Sequence, residues 1–284
     1  MTKTENRLIP LLLTATVNPR GMQGANFTNE QRTAMYVEAL RFYVERVSLI
    51  WSGVKDKGPM VVFAENSGSI SVVRQNVDSP YIEWVDVSGP EYDQSRGKGY
   101  NETILIRKAI MQSAVIREAG WFFKVTGRLR VLNVESLINE VLQAGPDVQF
   151  RADCKDHSVY EWLHLPINGH VGECRYWFAT VDFFNQVMCK YQDRMCDYPA
   201  EGIDGKTVSP YLAEDAMLAV CRETRGMDGC RDRFRCQARI SGRGGHDLGR
   251  GMSFFYSTDN DSVALRFKCA LRQCLRWIMP FWRC

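Results

Sequence analysis

Four short apolar runs, each ending in polar residues or glycine, constrain this chain more than any single motif does. They are "LIPLLLTATV", "PMVVFAENSGS", "YIEWVDVSG" and "WFFKVTG". Between the first two lies "TNEQRTAMYVEALRFYVERVSLIWSG", where Tyr36, Leu40, Tyr43, Val47 and Ile50 fall on one helical stripe. Thr28 or Asn29 serves as its N-cap and Gly53 as its stop. Before the fourth run, "YNETILIRKAIMQSAVIREAG" predicts a second long amphipathic helix that closes on Gly120. Strands and helices in this rhythm predict a mostly parallel sheet covered on both faces. In such sheets ligands bind beyond the carboxyl ends of the strands. The polar ends "TATVNP", "AENSGS" and "KVTGR" are therefore expected around one crevice.

The second half is less regular. "DVQFRADC" and "RYWFATVDFF" predict strands, the latter running into a helix. "SPYLAEDAMLAVCRE" predicts a helix with Ser209 as cap and Pro210 in its first position. The Arg- and Gly-rich stretch over 225–260 has no periodicity and is expected to be a loop. The tail over 261–284 places Phe267, Leu271, Cys274 and Ile278 at helical spacing, with Lys268, Arg272 and Arg276 beside them and Trp277, Phe281 and Trp282 at its end. A basic amphipathic helix with terminal tryptophans suits an element lying on an anionic membrane surface. The alternative is a helix docked on its own domain. Three segments follow: a catalytic body over 1–224, the loop, and the C-terminal helix.

Charge follows the same division. Residues 225–284 carry 12 Lys/Arg against 5 Asp/Glu, whereas the whole chain is only +3. All ten cysteines lie at or after Cys154, with no C-x-x-C pair, which favours reduced, mostly buried thiols over a zinc site. The start "MTKTENRLIPLLLTATV" reads as a first core strand rather than a secretory signal, and no apolar stretch is long enough to span a bilayer. A cytoplasmic protein is the expectation.

In "WFFKVTGRLRVLN", Lys124 and Arg128 follow an apolar run at a strand end. Cations there need an anionic partner, and a phosphate suits both a guanidinium fork and an ammonium. Core-edge carboxylates such as Glu65 or Glu102 are the competing partners. In "SRGKGYNE", Arg96 and Lys98 precede a helix whose glycines would let backbone N–H groups approach an anion. Glu65, Asn66 and Ser67 could hydrogen-bond a base or ribose. Glu214 and Asp215, early in a helix, complement its dipole or supply a general base; Asp153 and Asp182 are further isolated acids. The four histidines show no metal-ligand spacing, and no Walker, G-x-G-x-x-G, G-x-S-x-G or H-E-x-x-H motif occurs.

Taken in order, "LLLTATVNPRG", "QRTAMYVEALRFY", "VVFAENSG", "GKGYNETILI" and "FKVTGRLRVLN" resemble bacterial glycosyltransferases that build lipopolysaccharide and capsule. The resemblance covers about residues 8 to 135 and implies a GT-A-like, Rossmann-type nucleotide-binding fold. It implies a nucleotide-sugar co-substrate, a glycan or lipid-linked acceptor, and no other cofactor. Thr14, Thr16 and Asn18 would line the nucleotide pocket, joined by Glu65, Asn66 and Ser67. Lys98, Tyr100 and Glu102 would face the donor. Lys124, Thr126, Gly127 and Arg128 would stand where related folds carry metal-binding acids. The expectation is a metal-independent, inverting transferase, peripheral on the inner membrane, in which Lys124 and Arg128 neutralise the leaving diphosphate and Glu214 or Asp215 is the base. A nucleic-acid-binding protein using the basic C-terminal region, or a catalytically degenerate scaffold of glycan assembly, are the alternatives. Sparse aromatic residues in the basic region weigh against nucleic acid.

Overall fold

The computed structural model describes residues 8–19, 27–50, 58, 60–166, 168–201, 207–247, 253–256 and 263–278. Its first half runs β1 (Leu11–Ala15), α1 (Asn29–Ile50), β2 (Val61–Glu65), α2 (Ile70–Arg74), β3 (Ile82–Asp86), α3 (Gly97–Gln112), α4 (Ala114–Ala119) and β4 (Trp121–Thr126). Then come β5 (Arg130–Val131), α5 (Val134–Gln143), β6 (Phe150–Arg151), β7 (Cys154–Asp156), α6 (Val159–Trp162), β8 (His170–Gly172), β9 (Tyr176–Thr180) and α7 (Val181–Gln186). The remainder is β10 (Ala200–Glu201), β11 (Thr207–Val208), α8 (Ala213–Glu223), β12 (Cys230–Arg231), β13 (Ile240–Asp247), β14 (Ser253–Tyr256) and α9 (Val263–Ile278).

A seven-stranded sheet in the order β12-β6-β9-β4-β1-β2-β3 forms the centre. β3, β2, β1 and β4 are mutually parallel, β6 and β12 are parallel, and β9 runs antiparallel between β4 and β6. The chain is thus α/β with a mostly parallel sheet, compatible with a Rossmann-like fold. It builds outward from β1 to β3 and then returns to β4 on the other side of β1. A reversal of that kind is where such sheets hold their ligand crevice, here at the carboxyl ends of β1 and β4.

Strand alternation decides the two layers. Leu11, Leu13, Phe63 and Phe123 pack beneath α1 and α5, against Tyr36, Leu40, Leu137 and Ile138. Leu12, Val62 and Phe122 face the opposite way, towards Leu105 of α3, Phe184 of α7 and Met217 of α8. Thr28 and Gln31 cap α1 reciprocally: Gln31 N–H donates to Thr28 Oγ1 at 3.2 Å and Thr28 N–H to Gln31 Oε1 at 3.0 Å. Gly53, the expected stop, lies outside the described residues.

Three expectations are corrected. The long helix ending at Gly120 is two helices, because Ser113 turns extended and its Oγ accepts from Ile116 N–H to cap α4. Gly120 closes α4 in the left-handed conformation, as the sequence implied. Helix α8 starts at Ala213 rather than Pro210, since the Asp215 carboxylate caps it by accepting from Leu212 N–H at 2.9 Å. The stretch after residue 224 is not simply a loop. Buried Cys230 brings β12 alongside β6, Phe234 packs against Phe123 and Tyr176, and β13 joins β5 and β14 in a second sheet.

Gly127 holds β4 against β1 where the crevice opens. Its N–H donates to Thr14 O at 2.9 Å, and a Cβ there would lie 2.7 Å from that oxygen. Gly127→Ala is therefore expected to destabilise the fold by about 1–3 kcal/mol, read from the urea midpoint.

Candidate functional site

Period-two alternation puts Lys124 on the same face of β4 as Phe122, under the first turns of α3, from which Glu102 descends. Lys124 is fully buried. Its ammonium lies 2.8 Å from Glu102 Oε1 and donates to Cys174 O at 2.6 Å and Thr126 Oγ1 at 3.2 Å. Thr14 Oγ1 donates to the same Glu102 oxygen at 2.6 Å. With three partners for its three N–H groups, Lys124 is an internal tie across β1, β4 and α3. This corrects the expectation that it meets a diphosphate directly. Glu102 is partly exposed and borders a cavity of about 50 Å³, which Thr103, Cys174, Trp177 and Met217 also line. Burial pushes the Cys174 thiol up.

The loops after β1 and β2 are knotted together. Glu65, fully buried, accepts through Oε1 from Val17 N–H at 3.0 Å and Ser67 N–H at 2.9 Å, and through Oε2 from Ser69 N–H at 2.9 Å. Its Oε1 also accepts from Ser67 Oγ, which in turn accepts from Asn18 N–H. Thr16 Oγ1 donates to Asn66 Oδ1 at 2.8 Å. Glu65 and Ser67 therefore shape the crevice floor instead of presenting themselves to a ligand, as was expected of them. The structure brings Thr14, Thr16, Asn18, Asn66, Thr126 and Gly127 to this same edge.

The start of α3 already holds an anion. Lys98 N–H donates to Asp197 Oδ2 at 2.7 Å, and a Cβ on Gly97 (φ +84°) would lie 2.3 Å from Asp197 Cγ. The phosphate expected at this helix end is thus replaced by the chain's own carboxylate. Arg96 is tied down as well: its Nε donates to Met195 O at 3.1 Å and its guanidinium lies 4.5 Å over the Tyr100 ring. Tyr100 forms the underside of that stack.

Other cations do converge on the edge. Arg32 is 7% exposed and donates through Nε to Thr16 O at 2.8 Å and through Nη2 to Tyr36 Oη at 3.4 Å. Arg128 donates through Nε to Arg243 O at 3.2 Å. Among the described residues neither arginine has a carboxylate partner. Lys98 lies within electrostatic reach of both. Burial of its ammonium first, and then the charge of Arg128, hold its pKa below the ordinary lysine value, with Arg32 adding to the effect and Asp197 and Glu214 opposing it. The residue as a whole is nevertheless accessible.

The two candidate bases separate. Asp215 caps α8, whereas Glu214, half-buried in the first turn of the same helix, acts electrostatically on both Lys98 and Cys174. Asp182 is exposed in the first turn of α7, and Asp153 is buried in an ion pair with Arg276. No group of three or more His, Cys, Asp or Glu able to hold a metal occurs among the described residues.

Arg32 and Asp197 went unassigned by sequence reasoning. One signal was present for Arg32: a cation near the start of a helix opposes the dipole, so something else has to favour it there. Asp197 gave no signal, because its partner Lys98 is almost a hundred residues away. No protein-family profile, curated protein or solved structure matches the chain. Function rests on the site alone.

Proposed function

We propose that the chain is a glycosyltransferase that moves a sugar from a nucleotide-sugar donor to a hydroxyl of a bacterial surface glycan, lipopolysaccharide or capsule. The observation that carries this reading is the convergence of Arg32, Lys98 and Arg128 on the carboxyl edge between β1 and β4, with Arg32 and Arg128 lacking a carboxylate partner among the described residues. A buried guanidinium whose hydrogen bonds go only to neutral oxygens keeps its charge uncompensated, and a diphosphate supplies the missing anion. The finer GT-A-like identity of the fold belongs to the same proposal.

In this scheme Arg32, Lys98 and Arg128 stabilise the negative charge that grows on the leaving diphosphate, the duty a divalent cation can perform elsewhere. Glu214 takes the proton of the acceptor hydroxyl as that oxygen attacks the anomeric carbon from the side opposite the diphosphate, which inverts the configuration. The Thr14–Glu102–Lys124 tie keeps the carboxyl ends of β1 and β4 in register beneath the donor. Nucleotide release from a panel of donor sugars, with and without a chelator, tests the scheme. Release that persists in chelator is expected; its abolition would overturn the metal-independent mechanism, and failure of every donor to bind would favour the scaffold alternative.

A further inference from the structure

Helix α9 is seated in an unusual way. An amphipathic helix ordinarily buries its apolar stripe. Here the hydrogen bonds that the described side chains of α9 make to the body come from Gln273 and Arg276. Arg276 Nη1 donates to Asp153 Oδ1 at 3.0 Å and to Phe234 O at 2.8 Å, and Nη2 donates to Asp153 Oδ2 at 3.2 Å. Gln273 Nε2 donates to Arg235 O at 2.9 Å, while Gln273 Oε1 accepts from Gln237 N–H at 2.9 Å. Phe267, Leu271, Cys274 and Ile278 lie about half a turn away from these anchors at 3.6 residues per turn. They face outward, with Phe267 70% and Ile278 73% exposed, and the neighbouring Trp277 is 69% exposed.

We infer that this outward face of α9 docks on an anionic lipid bilayer, lying in the plane of the headgroups. Two observations choose that occupant. The helix "VALRFKCALRQCLRWI" contains Arg266, Lys268 and Arg272 besides the internally paired Arg276, and no acidic residue, so it complements negative headgroups. The apolar stripe ends at Ile278 beside the exposed Trp277, a residue suited to the interface between acyl chains and water. The anchors add a consequence that a loosely tethered helix would lack. Asp153 also accepts from Tyr176 Oη and from Phe234 N–H, so α9 is tied to strand β9 of the central sheet. The attitude of the sheet relative to the membrane is then set by this buried ion pair together with the Gln273 hydrogen bonds. No described helix is long and apolar enough to cross a membrane, and a helix lying in the surface needs no such length.

Co-sedimentation of the full chain with vesicles tests this independently of any transferase activity. The protein is expected to bind vesicles of phosphatidylcholine mixed with phosphatidylglycerol at least about tenfold more tightly than pure phosphatidylcholine, and to be released by salt. The triple variant Phe267→Ser, Trp277→Ser, Ile278→Ser should lose about tenfold or more of that binding with its urea midpoint unchanged, since these side chains are exposed. Arg272→Glu should weaken binding only to the anionic vesicles. Equal binding by wild type and triple variant would overturn the inference. So would a wild-type dimer, seen by light scattering, that does not bind vesicles and becomes monomeric in the triple variant, because the face would then belong to a second copy of the chain.

Discussion

Arg128→Gln is expected to weaken binding of a nucleoside diphosphate about 10- to 150-fold, measured by calorimetry, while leaving the urea midpoint nearly unchanged. A hydrogen bond between charged groups contributes about 1.5–3 kcal/mol, which sets that range. The fold should hardly notice, because among the described residues the Arg128 side chain hydrogen-bonds only to Arg243 O, at the surface. The affinity should also depend on pH through Lys98. The free site holds the Lys98 pKa below its ordinary value, so the charged form is the disfavoured one there, and a bound diphosphate restores it. Binding is then strongest while Lys98 is protonated, weakens as pH rises through the lowered value, and takes up protons near it. An unchanged affinity in Arg128→Gln would remove this edge as the phosphate site.

Lys124→Met is expected to do the reverse. Removing one partner of a buried ion pair leaves the other uncompensated, at a cost of about 3–5 kcal/mol. Glu102 retains some solvent access, so the lower end of that range applies. The double variant Lys124→Met, Glu102→Gln should recover much of the loss, since both charges then leave together. Urea unfolding of the two single variants and the double variant gives the coupling energy directly. If Lys124→Met instead kept its stability and lost only donor binding, Lys124 would be a ligand contact and the internal tie would be wrong.

The two residues show where sequence reasoning reaches and where it stops. The alternation of apolar runs with helical stripes was enough to expect a mostly parallel sheet, and the reversal of strand order then located a crevice. Which cation would stay available for a ligand was not legible. Lys124 and Arg128 are four residues apart and look equivalent in "KVTGR", yet Lys124 points under α3 onto Glu102, whereas Arg128 has already left the strand. That difference is decided by a carboxylate twenty-two residues upstream on a helix. The anion at the start of α3 was foreseen as a phosphate because backbone N–H groups at a helix end attract any anion; Asp197, from a distant segment, answers the same attraction. The arginine-rich stretch after residue 224 looked structureless because β12 is only two residues long and β13 is built largely from glycine and charged residues rather than an apolar alternation. Part of that charge is neutralised within the protein: Arg225 meets Asp156 and Asp232, and Arg276 meets Asp153. This leaves less of it for a nucleic acid than the raw balance implied.

The Arg276–Asp153 pair makes the C-terminus a poor candidate for removal. A truncation before α9 would strip a buried aspartate of its guanidinium, and the Tyr176 hydroxyl and one backbone amide would be left to shelter a full negative charge. Such a deletion would injure the keel of the molecule together with its landing surface, and a dead shortened protein could not say which of the two had mattered.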